Sequence, residues 1–355
     1  MRRICAAFLN RYISRLLQIL HFFVIILKTI ITKGRDDVKY VNINGMQLSK
    51  IVLGTCYFGT RIPEKDCMEM MDYFAEKGGN VIDTAFSYAD WLPNGEQESE
   101  KVIGKWLKES GAKGIHIITK AGLTKRLDSG CSANISYESL RTEIEKSLYA
   151  LGVSTLDGWL LHRDDEKIPV DEIVDICNTF ANEGKTKFIG VSNWRPERIA
   201  AANEWAVKNG RIPFSVSQIL WSAAQITKED WGDPELAAMN AQAREFYKKE
   251  KMPVMAYSSL AKGFFSKGFE NLNNLNGPAK ERFLTPRNIE RLETMRRICR
   301  ENGVSPSAAA ISYVTSNSLL GLALAGPTKP YQMVDALSAP DFVMSAEDIA
   351  EFERE

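Results

Sequence analysis

The sequence predicts an α/β fold, a (β/α)8 TIM barrel with an N-terminal β-hairpin. Three observations carry that prediction. Eight short runs rich in Val, Ile and Leu alternate with eight longer amphipathic stretches over about 290 residues. The short runs do not alternate polar with apolar residues, as expected of parallel strands covered on both faces. The alternative, a doubly wound open sheet, usually carries a phosphate-loop fingerprint, and the chain has neither G-x-G-x-x-G nor G-x-x-x-x-G-K-[ST].

In chain order, residues 41–43 and 47–50 flank Asn44-Gly45, a two-residue hairpin signal. The strand runs are 51–53, 81–82, 115–119, 156–161, 188–191, 215–219, 254–257 and 320–325. Helical patterns cover 63–77, 98–109, 137–151, 170–183, 196–208, 234–249, 288–302 and 329–337. Pro63, Pro196 and Pro234 occupy first helical turns, where no N–H is needed. Gly152, Gly184 and Gly303 stop helices. Residues 261–287 are too many for an ordinary connection and read as a functional lid or a disordered loop.

Composition bounds the function. The 355 residues include 45 basic and 45 acidic side chains, with 45% hydrophobic and 25% charged residues. That is ordinary globular composition and excludes a disordered, fibrous or multi-span membrane chain. A neutral balance argues against a nucleic-acid binder. The six cysteines (Cys5, Cys56, Cys67, Cys131, Cys177, Cys299) form no C-x-x-C pair and read as free thiols in a reducing, cytoplasmic setting.

Residues 1–37 differ from the rest. Seven basic residues and no acidic one lie before Asp36, which leaves 38 basic and 43 acidic residues from Val38 on, a formal −5. The apolar run 16–27 is shorter than the roughly 20 residues that cross a bilayer. Lys33-Gly34-Arg35 is encodable by a purine-rich run like a bacterial ribosome-binding site, and Val38 by GTG. The expectation is therefore a start at Val38 with residues 1–37 not made, and one domain over 38–355; a basic membrane-surface anchor is the alternative.

In a (β/α)8 barrel the chemistry gathers at the C-terminal strand ends. Those ends carry Asp83 with Tyr88 beyond it, Lys120, His162, Ser192-Asn193, Gln218 with Trp221 next, Tyr257-Ser258, and Gly326 to Lys329. Each has a plain structural reading alone: Asp83 a cap, Tyr88 a loop tyrosine, Lys120 half of an ion pair, His162 a satisfied core histidine. Their joint placement favours a site.

These residues resemble the aldo-keto reductases. Asp83 in Val-Ile-Asp-Thr-Ala, Tyr88, Lys120 in Ile-Thr-Lys and His162 in Leu-Leu-His-Arg are similar to that family's Asp, Tyr, Lys, His tetrad. Ser99-Glu100 with Gly104, Gly190-Val191-Ser192-Asn193 and Tyr257-Ser258-Ser259-Leu260 resemble further motifs of the family. The resemblance runs from about residue 41 to 337 and implies an NAD(P)H-dependent reductase of aldehydes or ketones, acting on a small-molecule carbonyl. In that chemistry Tyr88 donates the proton, Lys120 lowers the phenol's pKa, Asp83 balances the lysine, and neutral His162 orients the carbonyl oxygen. No metal is expected.

The resemblance also implies the cofactor contacts. Ser192, Asn193 and Gln218 face the nicotinamide carboxamide, and Trp221 stands where the family stacks a tyrosine on the ring. Tyr257 belongs to the same cofactor set, and Ser258, Leu260, Lys262 and Gly263 wrap the pyrophosphate. Gly326, Thr328, Lys329, Gln332 and Asp335 lie on the adenosine side, with Ala336 in place of the usual Asn. Lys329 as partner of a 2′-phosphate favours NADP (NADPH), with NAD the alternative. Tyr57, Phe58, Trp91 and Trp194 are the expected substrate pocket. Two other classes remain open: a non-catalytic NADPH-binding regulatory subunit, and an unrelated barrel hydrolase or isomerase, which would need a metal or a carboxylate pair.

Overall fold

A computed structural model describes residues 39–90, 92, 95–126 and 130–354. The chain divides into two units, Met1–Asp37 and Val38–Glu355. The first lies outside the described residues, as does the expected start at Val38.

The hairpin pairs β1 (Tyr40–Ile43) with β2 (Met46–Ser49), antiparallel. Asn44 and Gly45 both take positive φ, 49° and 82°, which the turn between right-twisted strands requires. Eight strands follow: β3 (Ile51–Gly54), β4 (Val81–Asp83), β5 (His116–Ala121), and, after a small antiparallel hairpin β6 (Leu123–Arg126) and β7 (Gly130–Ala133), β8 (Leu156–Leu161), β9 (Thr186–Ser192), β10 (Ser217–Leu220), β11 (Val254–Tyr257) and β12 (Gly321–Ala325). They close in the order β3-β4-β5-β8-β9-β10-β11-β12, every neighbouring pair parallel.

Two cores result. The inner one stacks Val52, Val81, Ile118, Leu160, Phe188, Val216, Met255, Leu322 and Leu324 inside the barrel, and Val41, Ile43 and Leu48 of the hairpin close it from below. Gly158 makes room there: a Cβ would meet the Phe188 ring at 2.3 Å. Asn80 just before β4 and Ser215 just before β10 bond the hairpin, which fixes it at the N-terminal end. The outer core lies between strands and helices.

This inner set also decides what the mouth contains. Successive strand residues point to opposite faces. The inward residues 81, 118, 160, 216 and 255 are each followed two positions later by Asp83, Lys120, His162, Gln218 and Tyr257. Ser192 lies four positions beyond Phe188, on the same parity.

Among the helices, α1 (Glu64–Glu76), α2 (Glu98–Ser110), α3 (Tyr137–Leu151), α4 (Val170–Asn182) and α5 (Pro196–Lys208) match the periodicity closely. The pattern over 234–249 is not one helix: a single turn α6 (Lys228–Trp231) precedes α7 (Ala241–Glu250), and Pro234 lies between them. Residues 261–287 are not a structureless loop. They hold a turn at Ala261–Gly263, α8 (Phe264–Gly268), a turn at Leu272–Asn274 and α9 (Gly277–Phe283), seated by buried Phe264, Phe265, Ala279 and Phe283. After α10 (Pro286–Asn302), the unexpected helix α11 (Pro306–Thr315) is buried from Ala308 to Thr315, so it has no polar face and no amphipathic period to read. Helices α12 (Pro330–Ala336) and α13 (Ala346–Glu353) complete the chain.

Cys56, Cys67, Cys177 and Cys299 are free thiols. Among the described residues no helix is long and apolar enough to cross a membrane.

Candidate active site

Asp83 ends β4 and Lys120 lies near the end of β5, both wholly buried. The Lys120 ammonium donates to Asp83 Oδ2 at 2.8 Å, to the Thr84 carbonyl at 2.7 Å and to the Tyr88 phenol oxygen at 2.9 Å. A buried ammonium needs its protons satisfied, and these three contacts do that. The Tyr88 hydroxyl donates to Asp83 Oδ2 at 3.1 Å, and Gln218 Nε2 donates to Asp83 Oδ1 at 2.7 Å. The carboxylate, ammonium and phenol thus form a closed triangle at the barrel mouth.

His162 follows β8, its ring edge-on to Tyr88 with centroids 5.9 Å apart. Its Nδ1 meets the Ser87 hydroxyl at 3.3 Å. Burial, then the Lys120 and Arg163 charges, hold its pKa well below the usual imidazole value, so the ring is neutral at pH 7. Burial lowers Lys120 while Asp83 opposes that fall. Burial, then the Asp83 charge, push the Tyr88 phenol well above its usual pKa.

Ser192 Oγ donates to the Gln218 carbonyl at 3.0 Å. Asn193 takes a left-handed φ of 62°, uncommon outside glycine, which turns its amide back over the mouth. There it donates to the His162 carbonyl at 3.2 Å and accepts from the Tyr257 hydroxyl at 2.7 Å. Ser258, Ala261 and Lys262 also take positive φ (55°, 47° and 54°), and Gly263 follows at 82°. Leu260 precedes this left-handed stretch and packs partly buried on the outer core.

Several expected site residues stand elsewhere. Trp221 does not offer a ring to the mouth. It has the parity of outward residues, and it lies buried edge-on to Tyr313 of α11, with Cζ3 3.0 Å from a Cβ built on Gly321. Tyr257 has the inward parity and is the aromatic residue of this pair at the mouth. Trp194 is fully buried against Phe214, its indole N–H donating to the Arg163 carbonyl at 3.3 Å, and Phe58 is equally buried. Both are core residues, not pocket walls. Tyr57 is half-buried beneath Arg61, and Trp91 lies outside the described residues. Of the residues expected to border an adenosine, Thr328 N–H donates to Gln332 Oε1 at 2.7 Å, Gly326 continues from β12, and Asp335 lies on α12. Lys329 pairs with Asp66 at 3.7 Å.

Sequence reading missed Ser87, the Thr84 carbonyl and the Arg163–Asp233 pair at 2.7 Å, which ties the β10 loop to the strand end bearing His162. Arg163 directly follows His162, but its partner lies 70 residues on, and nothing local signals it. Among the described residues no three His, Cys, Asp or Glu side chains converge as a metal site.

The model of the aldo/keto reductase family matches residues 50–354. The chain is 26% identical over 313 residues to an uncharacterized oxidoreductase, YrpG, of Bacillus subtilis (strain 168), covering 87% of this chain and 92% of that protein. It is 27% identical over 303 residues to a probable aryl-alcohol dehydrogenase, AAD4, of Saccharomyces cerevisiae, covering 81% and 86%. It is 25% identical over 325 residues to a norsolorinic acid reductase of Aspergillus flavus, covering 87% and 78%. A barrel whose mouth joins acid, amine, phenol and imidazole, matched over nearly all of its length, places this chain in the aldo/keto reductase family.

Proposed function

We propose that the chain reduces an aldehyde or ketone to an alcohol, using a nicotinamide dinucleotide as hydride source and Tyr88 as proton donor. The Lys120–Tyr88–Asp83 triangle, with contacts of 2.9, 3.1 and 2.8 Å, carries this reading. At neutral pH the phenol is protonated, and its high pKa keeps it a donor rather than a phenolate. As the proton leaves toward a carbonyl oxygen, the Lys120 ammonium stabilises the charge left on the phenol oxygen. Asp83 keeps Lys120 charged and aimed; solvent returns the proton afterwards. With its proton on Nε2, neutral His162 accepts from the Ser87 hydroxyl at Nδ1, 3.3 Å away, and its Nε2–H can donate to the same carbonyl oxygen.

The residues fit a dinucleotide. Gln218, Ser192 and Asn193 bring neutral polar groups to the mouth beside the Tyr257 ring, and the left-handed run at Ala261, Lys262 and Gly263 is the kind of strained backbone found at ligand clamps. A bound nicotinamide supplies the hydride. Ser258, Leu260, Lys262 and Gly263 then border its phosphates, and Gly326, Thr328, Lys329, Gln332 and Asp335 its adenosine. Lys329 alone favours NADPH, but its ion pair with Asp66 offsets that charge, so NADH is the close competitor. The names of two relatives, an aryl-alcohol dehydrogenase and a norsolorinic acid reductase, make aromatic carbonyls the first substrates to try.

The test is NADPH or NADH oxidation at 340 nm across aromatic and aliphatic aldehydes, with Tyr88→Phe as control. Loss of turnover with dinucleotide binding intact is expected. Full turnover in Tyr88→Phe would overturn the mechanism; tight binding without turnover in the native chain would favour a regulatory subunit.

A further inference from the structure

Ser99, Glu100 and Gly104 stand outside the catalytic triangle, yet the first turn of α2 that carries them grips the elements around it. Ser99 and Glu100 are both wholly buried. Ser99 Oγ lies 2.8 Å from Thr55 Oγ1, 3.0 Å from the Thr55 carbonyl and 2.9 Å from Thr84 Oγ1. Thr55 directly follows β3, and the Thr84 carbonyl is one of the three acceptors of the Lys120 ammonium. Glu100 Oε1 accepts from Thr119, the residue before Lys120 on β5, at 2.6 Å. Its Oε2 accepts from Gln97 Nε2 at 3.0 Å and from Ser147 of α3 at 3.1 Å. Gly104 permits that last contact: a Cβ there would meet the Ala150 carbonyl oxygen at 2.2 Å, so the missing side chain lets α2 approach α3.

A glutamine could take part in the same hydrogen bonds; what the carboxylate adds is charge. Burial raises the Glu100 pKa, while its three donors and the Lys120 charge all favour the ionised form. Lys120 is faced by Asp83 from β4, Tyr88 from the loop beyond it, Cys56 from the loop after β3, Glu100 from α2 and His162 from the end of β8. Burial pushes the Cys56 thiol up to about 11, the phenol keeps its proton and the imidazole is neutral, so the anions of that set are Asp83 and Glu100. On its other side Glu100 is faced by Glu143 of α3, whose own pKa is raised by burial first and whose donors are the Gly122 N–H and the Ser139 hydroxyl.

We propose that Ser99 and Glu100 are positioning residues of the reduction: Ser99 holds Thr84 and Glu100 holds the end of β5, and together with Asp83 they keep the Lys120 ammonium charged and aimed at the Tyr88 phenol. The inference rests on the reductase reading for its kinetics, but the state of Lys120 can be followed without turnover.

The experiment is carbon-13 NMR of the 13C-lysine-labelled chain, in which the Lys120 Cε resonance is identified by its absence in Lys120→Met and titrated with pH. In Glu100→Gln that titration should fall by about one pH unit, because one of the two anions is gone. The basic limb of kcat should move down with it, while the dinucleotide KM stays within about twofold of native; a merely structural glutamate would move neither the titration nor the limb. Ser99→Ala, which keeps the charge, should displace the Lys120 resonance and lower kcat about tenfold or more at an unchanged dinucleotide KM. An unaltered Lys120 titration in folded Glu100→Gln overturns the proposal. Should Glu100→Gln misfold by circular dichroism, Ser99→Ala decides, and a native Lys120 resonance in that variant overturns it. Shifted Lys120 titration in a chain that turns over no aldehyde would keep the positioning role and refute the reductase reading; normal turnover with an unshifted titration would do the reverse.

Discussion

Replacing Lys120 by methionine removes the ammonium at the centre of the triangle while keeping much of its volume. Asp83 and Lys120 are both wholly buried, with charges 2.8 Å apart. At an effective dielectric of about 20, that separation corresponds to a gross attraction of about 6 kcal/mol. Desolvation offsets most of it, so the net worth of the pair is small. Removing one partner alone is different: Asp83 would keep its charge with only the Gln218 amide and Tyr88 hydroxyl as donors, and the Thr84 carbonyl would lose its 2.7 Å donor. Breaking a buried pair in this way costs about 3–5 kcal/mol. Asp83→Asn should cost a similar amount, since it strands the ammonium. The double variant Asp83→Asn/Lys120→Met buries no lone charge, and its cost should fall short of the sum by about 3 kcal/mol or more. Guanidinium denaturation followed by tryptophan fluorescence, with all four proteins at one pH, measures the coupling. Single variants within about 1 kcal/mol of the native chain, or costs that simply add, would refute the reasoning that this buried pair is a charged unit.

Other outcomes follow from the same geometry. Trp221→Leu should destabilise the chain by about 2–4 kcal/mol and leave the dinucleotide KM unchanged, while Tyr257→Leu should raise that KM with little loss of stability; the opposite pattern would reverse the inward and outward assignments. Because burial lowers the His162 pKa, the unfolded chain takes up a proton below about pH 6.5 that the folded chain refuses, so acid erodes stability. His162→Gln should therefore gain on the native chain by up to about 1.4 kcal/mol per pH unit below 6.5, and a parallel pair of stability–pH curves would contradict this. Glu100 accepts from Thr119 Oγ1 at 2.6 Å, Gln97 Nε2 at 3.0 Å and Ser147 Oγ at 3.1 Å, and its burial raises the carboxyl pKa. Glu100→Ala, which orphans three donors, should cost about 3 kcal/mol or more. Glu100→Gln should cost far less and improve relative to the native chain as pH rises above 4.5, since only the native carboxyl must then ionise in the interior; denaturation at several pH values checks both.

Much of this site was legible before any coordinates. The strand runs ended at Asp83, Lys120, His162, Gln218 and Tyr257, and each of those residues is inward at the mouth, because a parallel barrel repeats one simple rule at every strand. The failures are equally physical. Helix α11 is buried all round and so lacks a period, and the stretch 261–287 folds because Phe264, Phe265 and Phe283 reach cores that lie far away in sequence. Trp221, one position past β10, and Trp194, two past β9, read as mouth residues, yet outward parity for the first and a turn of the chain for the second send them into packing.

Sequence alone determined the order of the eight barrel strands and the residues available at the mouth, since both depend on local apolar periodicity and on two-residue alternation along a strand. Tertiary structure decided the rest: that Gln218 meets Asp83 across 135 residues, that burial and the Asp83 charge raise the Tyr88 pKa, and that Lys262 and Arg282 share one indole. Burial and charge–charge energies depend on distance in space, and distance in space between strand-end loops is set only when the barrel closes.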